Sequence, residues 1–198
     1  MSDGLVIAVV ALALVLFWAV GAYNRLMRLR AAIGTAWAPL DTRFIERLAW
    51  LGDALKQGQG PAGADASEGA NVAPAPALPS WVRLGAASEQ WALALAPVRA
   101  RPADADAVGR LVLAHAALEA AWAGVPVQDW ASHMAMDATP VLAQWERLRQ
   151  QEQPLMAAFN AAVQRYNAAI DQFPAALMAR LCGFRAAQAL PLIEEGRP

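Results

Sequence analysis

The sequence predicts an all-α protein: a single N-terminal transmembrane helix continuing into an antiparallel helical bundle. Three features point there. Gly4 to Tyr23 is a run of twenty residues without a charge. Apolar residues recur at helical spacing through most of the chain beyond it. Alanine, the best helix former, supplies 49 of the 198 residues, while Val and Ile are few beyond the first twenty.

The uncharged run 4–23 has Leu5 to Val20 at its core. As a helix it spans roughly 30 Å, the thickness of a bilayer's hydrocarbon. Trp18 and Tyr23 stand toward one end, where amphipathic rings favour the membrane interface. A buried core helix would carry a polar face, which this stretch lacks. A signal peptide would open with basic residues, and only Ser2 and Asp3 precede the apolar run; Gly21-Ala22 keeps cleavage, and release of the bundle, as an alternative. Arg25, Arg28 and Arg30 come directly after the span and no Lys or Arg precedes it, so the positive-inside rule puts the N-terminus outside and the C-terminal side in the cytoplasm. Near anionic headgroups each arginine would contribute about 1 kcal/mol, although orientation explains them more simply. The lipid bilayer is thus the first expected partner.

The first bundle helix, 24–56, carries Leu26, Ile33, Trp37, Leu40, Phe44, Leu48, Leu51 and Leu55 on one stripe. Pro39 should kink it mildly or restart it. Residues 57–79 are rich in Gly, Ala and Pro and read as a flexible linker. The remaining helices fall within 80–192, ahead of a tail at 193–198. Ser80 can cap a helix bearing Leu84, Trp91 and Leu95 and ending near Pro97. Asp104 and Asp106 suit the start of the next, with Val108, Leu111, His115, Leu118 and Trp122 on its apolar face and Gly124 and Pro126 stopping it. A short irregular or helical stretch surrounds Trp130. Thr139 and Pro140 form an N-cap and N1 pair for a long last helix. Along it Leu142, Met156, Val163 and Ile170 alternate with Trp145, Phe159, Tyr166 and Phe173 at heptad spacing. Pro154 should bend this helix and Pro174 end it. Stripes of this kind cannot be hidden singly, hence the antiparallel bundle.

Two places resemble the LemA family of membrane-anchored bacterial proteins. One is Tyr23-Asn24 after the span, then Ala36-Trp37, Leu40-Asp41, Phe44 and Arg47. The other is Phe159 to Phe184, with its paired aromatic-Asn steps, then Phe173-Pro174 and Gly183-Phe184. Together they cover about 60 residues. The family's Asn-Leu-Val type segment and later His-Glu pair are replaced here by AWLGDALKQ and the Gly/Pro linker, which marks a divergent member. The resemblance implies a helical bundle, a short external N-terminus and a cytoplasmic domain at a bacterial inner membrane. It implies no reaction.

Candidate chemistry is sparse. Asn160 and Asn167, seven residues apart and beside Phe159 and Tyr166, share a helix face. Their carboxamides could grip a ligand or a partner's backbone; interhelical hydrogen bonds that set register are the plainer expectation. Asn24 reads as helix packing. His115 falls on an apolar stripe and His133 eighteen residues on, without HExxH or a matching carboxylate, so no metal site is expected. Cys182, the single cysteine, excludes an internal disulfide and reads as a buried, inert thiol. Glu146 and Asp171 read as solvated ion pairs with Arg147, Arg149 and Arg165, whereas Glu152 falls in the heptad seam and should pair with Arg47 or Arg30. No phosphate loop, nucleophile elbow or dinucleotide fingerprint is present, and no cofactor is expected. A net charge of −1 without a basic, aromatic-interleaved patch gives no basis for nucleic-acid binding. Eight tryptophans suit a protein-binding surface or self-association as well as a core. The sequence therefore favours a non-enzymatic interaction module, with a ligand binder or enzyme using a pocket near Asn160, Tyr166 and Asn167 as the alternative.

Overall fold

A computed structural model describes residues 3–58, 79–134, 139–173 and 175–192, the side chains of 57–58 and 131–134 apart. Most of the linker, Pro174, the His133 side chain and the tail 193–198 lie outside the described residues. The chain forms α1 (Asp3–Gly58), α2 (Ser80–Ala100), α3 (Ala105–Ala123), α4 (Val127–Met134), α5 (Thr139–Asp171) and α6 (Ala175–Leu181), with no strand among the described residues.

Helix α1 is a single continuous element of 56 residues with two environments. Its first part contains an 18-residue window of mean hydropathy 2.8 that is wholly unburied, long and apolar enough to cross a membrane. From Leu26 the same helix becomes the centre of the core: Leu26, Ile33, Trp37, Leu40, Phe44 and Leu51 are buried, with Leu48 and Leu55 half-buried beside them. Pro39 does not restart the helix. It stands on the exposed side, where water can take the Thr35 carbonyl that its missing N–H leaves free. The helix also runs two residues past Lys56.

Helices α2 and α3 form a hairpin across a four-residue turn, Arg101–Asp104. Asp104 caps α3 as expected, its Oδ1 accepting from the Asp106 and Ala107 N–H groups at 3.1 and 3.2 Å. Ser80 does not act as the cap of α2. It is the first helical residue, Pro79 holds the cap position, and the Ser80 hydroxyl donates to Asp129 Oδ2 of α4 at 2.9 Å. Helix α2 also continues through Pro97 to Ala100, because the Arg101 N–H closes the last turn on Pro97 and Val98 carbonyls.

Contacts fix the direction of α2 and of α5 along α1. Arg99 pairs with Asp41 and Gly85 approaches Leu55, so α2 descends as α1 ascends. Trp37 meets Phe159 and Arg47 meets Glu152, so α5 also runs against α1. Trp145, Met156, Phe159, Val163, Tyr166 and Ile170 of the heptad seam are buried. Leu142 is half-buried, and Phe173 is 82% exposed because α5 ends at Asp171 before reaching it.

The sequence pattern does not reveal α6. It packs on α1 and α5 and ends in a glycine turn: Gly183 sits at φ 70°, the Phe184 N–H donates to the Ala179 carbonyl at 2.9 Å, and the Gly183 N–H reaches Arg180. Cys182, expected to be buried, is exposed on this turn. Beyond it the chain is non-helical and turns back along α5.

Candidate functional site

The α5 face that carries Asn160, Tyr166 and Asn167 holds the chain's own C-terminal segment. Asn160 Nδ2 donates to the Leu190 carbonyl at 2.7 Å and its Oδ1 accepts from the Leu190 N–H at 2.8 Å. Asn167 repeats the pattern on Ala187, at 2.8 and 2.9 Å. The Tyr166 hydroxyl donates to the Arg185 carbonyl at 2.9 Å. The spacing explains the fit: seven helical residues rise about 10.5 Å, and three extended residues cover about 10 Å. Each carboxamide thus completes both polar groups of one strap residue, as a neighbouring strand would. The strap runs against α5 and buries Ala187 and Leu190 in the core. On its other side Gln188 lies over Gly109 of α3, where an added Cβ would come 3.0 Å from Gln188 Oε1. Asn24 has no part in this arrangement; it is exposed on α1, one residue from Tyr23.

A second constellation sits farther along α1. Arg47 is fully buried, its Nη1 donating to Glu119 Oε1 at 2.9 Å and its Nε lying 3.1 Å from Glu152 Oε1. The second contact lies outside hydrogen-bonding geometry. The guanidinium carbon stands 4.4 Å from the Trp91 ring centre and 4.8 Å from that of Trp145. These faces stand in for hydrogen-bond acceptors on Nη2, which has none among the described residues. Glu119 also meets His115 Nε2 at 3.4 Å and Arg149 Nε at 3.5 Å. His115, expected as a core histidine, is buried against Trp91 and joins this network.

The electrostatics arise from burial. Desolvation pushes Glu152 up to about 8, with Glu119 adding to it and Arg47 and Arg149 opposing. Glu119 is also desolvated, but His115, Arg47 and Arg149 outweigh that and hold it below its ordinary value. Burial lowers the Arg47 pKa, against the pull of Glu152 and Glu119. Glu152 finds Arg47, one of its two expected partners; Arg30 lies near Tyr166. Sequence pattern points to this pair, since both residues fall on apolar stripes. It does not point to Glu119 or Arg149, whose positions look like ordinary surface charges.

Arg30, Arg101, Arg185 and Tyr166 border a cavity of about 300 Å³, together with Asp104 and Asp106. Burial raises the Tyr166 pKa while Arg30 opposes it. Among the described residues no group of three or more His, Cys, Asp or Glu is placed to hold a metal. No family model, curated protein or solved structure matches this chain.

Proposed function

We propose that this protein is a single-pass membrane protein, its antiparallel helical bundle serving as a non-enzymatic scaffold or interaction module at the cytoplasmic face of a bacterial inner membrane. The observation that carries this reading is the dual character of α1. One unbroken helix is apolar and exposed all round near its start, and then supplies the most buried stripe of the bundle. A lipid environment accounts for the first half and the helical partners for the second. Such a helix transmits the membrane's position and orientation to the bundle rigidly. The arginines Arg25, Arg28 and Arg30 support the cytoplasmic orientation. Membership of the LemA family, as a divergent member, is part of the proposal. It rests on the two sequence motifs, Tyr23–Arg47 and Phe159–Phe184.

Protease treatment of sealed spheroplasts and of inverted vesicles tests topology: the bundle should be cut only in inverted vesicles. Affinity capture of the intact protein from membranes tests the scaffold role, and failure to recover any reproducible partner would count against it. One observation favours a second reading, a ligand binder. Asn160 and Asn167 are engaged by the strap, but Tyr166 borders the cavity, where Arg30, Arg101 and Arg185 outnumber Asp104 and Asp106 and suit a small anion. Titration with inorganic phosphate, with Arg30→Gln as control, decides that reading.

A further inference from the structure

We propose that α6 is a membrane-interfacial helix, its outer apolar face seated among lipid headgroups and upper acyl chains where α1 leaves the bilayer. This rests on the reading of Gly4–Tyr23 as the span.

The register of α5 on α1 sets the height of α6. Trp50 meets Trp145 and Trp37 meets Phe159, so α5 descends toward the span by about one residue for each residue of α1. Continued at that pitch, the last residue of α5, Asp171, comes level with Arg25, two residues past the span. On the far side of α6 the Phe184 ring meets the Tyr23 ring edge-on at 5.9 Å. Helix α6 is therefore bracketed by two points at the expected membrane boundary. Its inner face is accounted for. Ala175 and Ala179 are buried as α6 packs on α1 and α5. Along α1 from residue 3 to 25, Ala19 and Ala22 alone are half-covered, and both belong to the last turns of the span. Small residues on both helices permit this close approach.

The outer face has no protein cover among the described residues. Leu177 is 57% exposed, Leu181, one turn on, is 81% exposed, and Phe173 stands just ahead of them. Arg180 is exposed on the same helix, and Arg25, Arg28 and Arg185 are exposed at the same end of the molecule. No acidic residue occurs from Phe173 to Arg185. Large apolar side chains flanked by arginines, which can snorkel to phosphate, are the composition of a helix lying in the headgroup boundary. The patch is continuous with the exposed surface of α1 that the bilayer would cover, which makes lipid its occupant. The Gly183 turn then lifts the chain back out of the boundary and delivers the strap to Tyr166 and Asn167.

The test uses the full-length protein in vesicles of phosphatidylcholine and phosphatidylglycerol, with Cys182→Ser removing the native thiol. Single cysteines from Leu181→Cys, Leu177→Cys, Val15→Cys and Gln151→Cys carry an environment-sensitive fluorophore, and some lipids carry a nitroxide near the top of the acyl chain. Fluorescence should be lost at the labels on 181, 177 and 15 and kept at 151, which stands beside the Arg47 end of the bundle. Quenching at 15 without quenching at 181 and 177 overturns the inference and leaves the span intact. A blue shift at 181 without quenching also overturns it, assigning the face to protein, such as a second copy. No quenching at any of the four positions removes the span and the inference with it. Circular dichroism of each labelled protein verifies that the helices have formed.

Discussion

Asn160 and Leu190 complete each other's hydrogen bonds: the carboxamide of one side chain satisfies both the N–H and the C=O of one backbone unit thirty residues away. Both residues are buried, so water cannot replace either bond. Asn167 and Ala187 repeat the relationship two turns along the helix, at a half-buried position.

Replacing Asn160 by Ala should therefore cost about 2–4 kcal/mol, since it leaves a buried donor and a buried acceptor unpaired. Asn167→Ala should cost less, about 1–2 kcal/mol, because Asn167 is only half-buried. The double variant should fall short of the sum, as releasing one carboxamide already loosens the strap. Urea denaturation in detergent micelles, monitored by tryptophan fluorescence, measures the energies. Hydrogen exchange at Ala187 and Leu190 reports release of the strap itself.

Glu152 makes stability depend on pH. In the folded protein it keeps its proton to about pH 8, whereas unfolded it gives it up near 4.5. Folding between those values takes up a proton. The contribution of Glu152 is full below pH 4.5 and is lost as pH rises toward 8. Glu119, held below its ordinary value, acts in the opposite sense and loses its contribution only in acid. The wild type should accordingly lose on the order of 3 kcal/mol between about pH 5 and 8. Glu152→Gln, which imitates the protonated side chain, should flatten that decline, and a parallel slope in both proteins would refute the assignment.

Arg47 should be harder to remove alone than together with its partner. Arg47→Met leaves Glu152 and Glu119 without their central cation and should cost about 3–5 kcal/mol. Arg47→Met combined with Glu152→Met should recover a large part of that loss, because the buried guanidinium and the buried carboxyl beside it then leave together and Glu119 keeps Arg149 and His115. Chemical denaturation of both variants measures the difference. A double variant less stable than the single one would show that the pair contributes more than its desolvation removes.

Gly183→Ala tests the turn behind α6. A Cβ there meets nothing within 4 Å, so its effect comes from the positive φ alone. The expected cost is about 1–2 kcal/mol. It should register as faster exchange at the Phe184 N–H, which closes the turn on Ala179.

The elements most legible in the sequence are those whose cause is local. The stripe from Leu26 to Leu55, the Asp104 cap and the seam from Trp145 to Ile170 each arise from side chains a few residues apart. Ser80 suits a cap position by its local chemistry; Asp129, forty-nine residues away, draws its hydroxyl elsewhere. Helix α6 is illegible because it is seven residues long and comes after Pro174, too short to show a period.

The sequence by itself determined that the chain is helical, that its first twenty apolar residues differ in character from all the rest, and that Arg47, Glu152, Asn160 and Asn167 are polar groups on apolar stripes. Tertiary structure alone decided what those polar groups meet. A buried carboxamide must find a donor and an acceptor, and a buried guanidinium must find anions or rings. Nothing in the local sequence states that the first would be Leu190, or the second Glu119 between Trp91 and Trp145. Those partners come from other helices and from the returning strap, and desolvation makes each of them necessary only once the chain has closed around it.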